Sequence, residues 1–98
     1  MILHLVLFRF RPGTPGAAID AARDALLALG RSIPDIRRIA WAPNLGPSAA
    51  DYPFVLSVSV DDMAAVGRYL EHPAHVEAVA RWLAPIREAR LAVDFEVA

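Results

Sequence analysis

Three histidines and a single tyrosine near two of them carry most of the side-chain chemistry open to this 98-residue chain. Two of the histidines fall in Tyr69-Leu70-Glu71-His72-Pro73-Ala74-His75, on either side of Pro73; the third, His4, lies in the first apolar run. A fold that brings His4 to Tyr69 and His75 makes a polar pocket in an otherwise apolar molecule. A fold that does not leaves three unrelated histidines. In the first case the chemistry is acid–base. An imidazole near a helix N-terminus and out of water is disfavoured as its cation. A neutral His75 is therefore the best general-base candidate. Tyr69 offers a phenol to a carbonyl oxygen or a developing enolate, and His4 contributes from the sheet floor. The plainer alternative is that these groups are satisfied by backbone carbonyls and do nothing else.

His72-x-x-His75 also has ligand-like spacing, with His4 as a third ligand. Pro73 puts the two into different local geometries, however, and no carboxylate is evidently paired with them. Zinc sites need three or four convergent ligands, so no metal is expected, and no organic cofactor either. His72, directly before a proline, is expected mainly to satisfy free N–H groups at the helix start.

Composition narrows the remaining classes. The chain has no cysteine, which excludes thiolate and disulfide chemistry. All ten basic residues are arginine, scattered along a chain of net charge −1. A nucleic-acid footprint would be a basic patch, and Asp51-Tyr52-Pro53-Phe54 lacks the basic glycine motif of an RNA-recognition strand. No stretch approaches the ~20 apolar residues of a membrane span. The opening Met-Ile-Leu-His-Leu-Val-Leu-Phe is short, lacks a basic leader and runs into Arg9 and Arg11, unlike a signal peptide. A cytoplasmic protein is the default expectation.

The elements that must position these residues follow from periodicity. Ile2 to Phe10 reads as a strand with Ile2, His4, Val6, Phe8 and Phe10 on one face and Leu3, Leu5 and Leu7 on the other. Thr14 and Pro15 suit the cap and first position of a helix. Ala18, Ile19, Ala22, Ala25, Leu26 and Leu29 form its buried stripe, and Gly30 is the expected stop. A second strand is expected over 36–42. Pro43 to Pro53 reads as a loop of roughly ten residues, long enough for a rim or lid. A third strand follows over 54–60. Asp61 or Asp62 caps the next helix, which His72-Pro73 must interrupt. A new helix starting at Pro73 carries His75, Val76, Val79, Ala80, Leu83 and Ile86. The last strand covers 89–97.

The order is β-α-β-β-α-β in one domain spanning residues 1–98. It predicts an α+β, ferredoxin-like fold: a four-stranded antiparallel sheet with helices on one face. The other face would be bare. Residues that are 56% apolar and a mean hydropathy of +0.37 exceed what one small core hides easily. A homodimer through the exposed sheet face, curling into a dimeric α+β barrel, is the simplest cover.

An opening His-x-Val-x-Phe-x-Phe strand, Ile-Pro ahead of the second strand, His-Pro-Ala-His before a helix and a terminal Val-Asp-Phe-Glu together resemble the stress-responsive A/B-barrel (Dabb) family along essentially the whole chain. The resemblance implies a dimeric α+β barrel. The family includes plant stress-induced proteins and a plant polyketide cyclase, olivetolic acid cyclase, which performs an intramolecular aldol condensation without metal or organic cofactor. Carried over residue by residue, its working groups fall on His4, Tyr69 and His75. A further pocket histidine of that enzyme falls on Phe54, which removes a polar group. Two readings follow. One is a dimeric barrel binding a small apolar or polyketide-like ligand in a pocket that includes Phe54 and His72. The other is a cofactor-independent, aldol-type enzyme with His75 as base and Tyr69 and His4 as polarising donors.

Overall fold

Buried and half-buried residues alternate without interruption along Ile2–Phe10, and this alternation decides which side of the sheet meets the helices. In the computed structural model, which describes residues 1–97, this run is strand β1. It is followed by α1 (Gly16–Ser32), β2 (Arg38–Pro43), β3 (Phe54–Val60), α2 (Met63–Glu71), α3 (Pro73–Ala78) and β4 (Arg87–Glu96). A 3-10 turn occupies Pro47–Ala50 and a π-helical turn Val79–Leu83. The strands form one antiparallel sheet in the order β2-β3-β1-β4. This is the ferredoxin-like arrangement expected from the element order.

On the inner face Ile2, Val6, Phe8 and Phe10 pack with Leu56, Val58 and Val60 of β3. The same core contains Ala22, Leu26 and Leu29 of α1 and Ala65, Val66 and Tyr69 of α2. Each large apolar side chain sealed here contributes about 1.5–3 kcal/mol. His4 is the one buried polar residue among them. On the outer face the register sets Leu3, Leu5 and Leu7 directly opposite Phe95, Val93 and Leu91 of β4. Leu91, Val93 and Phe95 are exposed. The helices leave this apolar band uncovered.

Local signals account for most boundaries. Asp62 caps α2, its Oδ1 accepting from the Ala65 N–H at 2.8 Å. Asp61, the other candidate, instead receives the Arg37 guanidinium at 2.7 Å. His72 has φ −60° and ψ 133°, out of helical geometry as the residue before a proline must be, and Pro73 opens α3.

Several boundaries differ from expectation. Thr14 does not cap α1; its hydroxyl donates to the Arg11 carbonyl at 2.6 Å and closes the turn, while Pro15 takes the cap position. Gly30 does not end α1, which continues to Ser32. The stop is Ile33, held extended at φ −114°, ψ 109° by the following Pro34. Gly30 serves close packing instead: a Cβ there would lie 2.8 Å from Cγ2 of Ile39 on β2. The second strand begins at Arg38 rather than Ile36, and the last at Arg87 rather than Ala89.

The stretch from Pro43 to Pro53 is a tied turn. Asn44 Nδ2 donates to Ser48 Oγ at 2.8 Å and to the Tyr52 carbonyl at 2.9 Å, and its Oδ1 accepts from the Gly46 N–H at 2.9 Å.

The Gly30 contact has a measurable consequence. Gly30→Ala gains helix propensity, yet forces α1 off β2, and overpacking of this kind costs about 1–3 kcal/mol. Urea denaturation is expected to show a net loss of about 1 kcal/mol. The loss should shrink in an Ile39→Ala background, because the clashing methyl is then gone.

Candidate functional site

Six elements, a π-helical turn and a helix break converge on one cavity beneath the helices. His4, Val6 and Phe8 of β1 and Leu56 of β3 form its floor. Leu26 of α1, Tyr69 and Leu70 of α2, His75 of α3 and Val79 and Leu83 of the π-helical turn form its walls. Arg87 and Arg90 of β4 complete it. The break at His72-Pro73 is what lets residues six apart in sequence share this space. Tyr69 lies in the last turn of α2 and His75 in the first turn of α3, and their rings lie 4.5 Å apart between centroids. His4 approaches Tyr69 from below, edge to face, at 5.8 Å. Tyr69 thus sits between the two imidazoles.

The hydrogen bonds fix how each ring is presented. His4 Nδ1 donates to Asp94 Oδ1 at 2.6 Å. The pairing is dictated by register, since His4 lies directly opposite Asp94 on the neighbouring strand. A carboxylate on Nδ1–H orients the imidazole and leaves Nε2 as its working nitrogen. His75 Nδ1 lies 3.1 Å from the Leu70 carbonyl. A carbonyl oxygen only accepts, so Nδ1 carries the proton and Nε2 keeps its lone pair. Burial lowers the His75 pKa from its ordinary 6.5; the bond to Leu70 opposes this, and His4 and Arg90 reinforce it.

Tyr69 is 1% exposed; its hydroxyl makes no side-chain or backbone hydrogen bond among the described residues, and since no fully buried polar side-chain atom there lacks a partner, that oxygen keeps access to the cavity. Burial pushes its pKa up to about 12, against a small opposing pull from Arg90. It therefore stays a phenol, a donor free to bond whatever enters. An acceptor nitrogen, a phenolic donor and an oriented second imidazole in one apolar enclosure can move a proton and bind a developing oxyanion.

The cavity volume is about 50 Å³. Room for a few waters or a small organic molecule is available, well below the ~300–1,000 Å³ of pockets for drug-sized ligands. A long polyketide-like ligand requires the space to widen.

Two expected pocket residues lie elsewhere. Phe54 belongs to an aromatic cluster, 5.5 Å from Phe10 and 5.6 Å from Trp41 between ring centroids. Phe8 links that cluster to the cavity, 5.7 Å from Trp41. Phe54 flanks Phe8 on the β3 side, where it packs toward Trp41 of β2, while Arg90 flanks Phe8 on the cavity side. His72 caps α3 instead, its Nδ1 accepting from the Ala74 N–H at 3.1 Å. The 43–53 stretch, read as a rim or lid, lines none of this cavity. His72 and His75 turn their Nδ1 atoms to different backbone groups, and no cluster of three or more potential metal ligands occurs among the described residues.

Sequence reasoning missed Asp94, Arg87 and Arg90. Asp94 and Arg90 share the parity of Ala92 on β4, so alternation places both on the inner face once that face is known. Arg87 has the opposite parity and carried no such signal.

Fold and site together define a small ferredoxin-like α+β protein with a histidine- and tyrosine-lined cavity between sheet and helices. The sequence matches the Stress responsive A/B Barrel Domain (Dabb) over residues 2–97, and the chain belongs to that family. An uncharacterised protein of Streptomyces coelicolor is 42% identical over 84 residues, covering 84% of this chain and 87% of that protein. A protein of Bacteroides fragilis, described as dimeric, ferredoxin-like and of unknown function, superposes with a TM-score of 0.83 at 31% identity. That match covers 98% of this chain and 95% of the other. A hydroxynitrile lyase from Passiflora edulis shares the fold at a TM-score of 0.86 and 17% identity, over 99% of this chain and 93% of its own.

The lowered pKa of His75 predicts a pH dependence of stability. The unfolded chain binds a proton at this residue near pH 6.5, while the folded chain resists it until lower pH. The unfolded state then holds more protons, so stability falls as pH drops below about 6.5. His75→Gln should flatten that slope in chemical denaturation series between pH 7 and pH 5. An unchanged slope would show that His75 titrates alike in both states.

Proposed function

We propose that the chain forms a homodimer in which each protomer carries a cofactor-independent acid–base site for small carbonyl compounds. The observation that carries this reading is the convergence of His4, Tyr69 and His75 on one cavity, with His75 Nε2 and the Tyr69 hydroxyl left available there. In the proposed reaction His75 Nε2 takes a proton from the carbon next to a carbonyl. The C–H electron pair moves into the carbonyl to give an enolate, and the Tyr69 hydroxyl donates a hydrogen bond to its oxygen. His4, oriented by Asp94, supplies the second polar contact. The enolate carbon then attacks an electrophilic carbonyl carbon, as in an aldol step, and the alkoxide formed takes up the proton held on His75. That one fold neighbour is a hydroxynitrile lyase lends support to catalysis on this scaffold without lending its substrate.

The mostly apolar lining also favours a second reading, a binding site for a small apolar ligand without turnover. Exchange of the methyl protons of pyruvate and methyl pyruvate in D₂O, followed by proton NMR, separates the two. The acid–base reading expects the protein to accelerate exchange of at least one probe. It expects His75→Ala to lose about 10²-fold or more of that acceleration, and Tyr69→Phe to lose a smaller part. Wild-type exchange no faster than that of His75→Ala would sink catalysis and leave the binding reading.

The dimer reading rests on the uncovered band of Leu3, Leu5, Leu7, Leu91, Val93 and Phe95 and on neighbours described as dimeric. Light scattering at micromolar concentration should give twice the chain mass. Val93→Arg, which sets a charge in the middle of the band, should give the monomer. A wild-type monomer would contradict the interface.

A further inference from the structure

Two arginines line the cavity with no carboxylate to answer them. Arg87 is half-buried and Arg90 exposed, and neither makes an ion pair or a side-chain hydrogen bond among the described residues. The neighbouring carboxylates are already engaged: Asp94 by His4 and Glu88 by Arg9, at 2.8 Å. The side of the cavity that faces water is therefore cationic and uncompensated.

The placement of the pair is built into the sheet. Residues 87 and 90 differ by three, so in a regular strand their side chains point to opposite faces. Arg90 opposes Phe8 on the inner face. A register shift between Arg9 and Phe10 then sets Arg87, not Glu88, opposite Phe10. One extra residue in β4 thus returns Arg87 to the inner face beside Arg90. Bulges re-aim side chains in this way next to functional sites. Holding two like charges together costs energy, as the lowering of the Arg87 pKa by burial and by Arg90 shows, and a bound anion offsets that cost.

We propose that Arg87 and Arg90 form an anion-recognition site at the cavity mouth, and that the compound it selects is a small carbonyl compound bearing a carboxylate. This rests on the acid–base reading above and names its substrate class. Two guanidinium forks match the planar pair of carboxylate oxygens. The cavity of about 50 Å³ suits the remaining few heavy atoms, with the carbonyl toward Tyr69.

Titration calorimetry with pyruvate and with methyl pyruvate, which differ in the charge, tests this directly. Pyruvate should bind wild type more tightly than the ester. Arg87→Gln and Arg90→Gln should each weaken pyruvate by about tenfold and leave the ester unchanged, with Arg90→Lys retaining part of the affinity. Arg81→Gln, at a residue stacked on Trp82 outside the cavity, should change neither; circular dichroism of each variant checks folding. Equal binding of the two probes, or arginine variants that bind pyruvate as wild type does, would overturn the anion site even where His75-dependent exchange persists. Conversely, arginine-dependent pyruvate binding that survives in His75→Ala without any wild-type exchange would retain the anion site and remove the acid–base reading. Inorganic phosphate displacing pyruvate at equal concentration would overturn the preference for a carboxylate.

Discussion

The interruption at His72-Pro73 is the constraint on which the site depends. Proline has no N–H to donate and pushes the residue before it out of helical geometry. Had α2 run on as one helix, Tyr69 and His75, six residues apart, would lie well round the cylinder from each other. The break ends α2 at Glu71 and restarts the chain at Pro73 on a new axis. The freed groups are then satisfied locally. His72 accepts from Ala74, and the Leu70 carbonyl, released near the end of α2, accepts the hydrogen bond of His75 Nδ1–H. The same discontinuity therefore creates the enclosure, brings the tyrosine to the histidine and sets the tautomer of that histidine.

Much of this arrangement is legible in the chain. Period-two alternation in Ile2–Phe10 marked the inward face and put His4 on it. The proline marked the break, and Tyr69, His75 and His4 do meet. What could not be read was anything that depends on register between strands distant in sequence. Asp94 opposite His4 is a consequence of pairing across 90 residues. Phe54 flanks Phe8 on the side of β2 and Trp41, away from β4, and so misses the cavity. Gly30 misled for a related reason. A glycine in a late helical turn reads as a stop, whereas here it answers the close approach of β2, and the stop comes from Pro34 acting on Ile33.

The apolar excess of the composition and the polarity of the site are divided between the two sheet faces. The inner face of β1 spends one position on His4 and is otherwise sealed by helices. The outer face keeps its leucines beside Leu91, Val93 and Phe95 without helical cover. β4 differs from β1 in carrying polar residues inward and apolar residues outward. It is the edge strand of the sheet, where partial access to water tolerates the inward charges of Arg90 and Asp94. The polar side of the cavity and the uncovered apolar band thus lie back to back on one strand, separated only by the thickness of the sheet.

The irregularity opposite Phe10 makes the electrostatic sign of the cavity mouth a matter of parity rather than of residue identity. With the extra residue in place, arginine meets the inner face at both Phe8 and Phe10. A strand that kept the same residues but ran on in regular register from the Arg9–Ala89 pair would instead set Glu88 at the second position and replace a pair of cations by a cation and an anion. No side chain in the cavity would need to be substituted for that reversal. Among relatives of this chain, sequences that look alike at the start of the last strand would then present different charges to the cavity wherever that register differs.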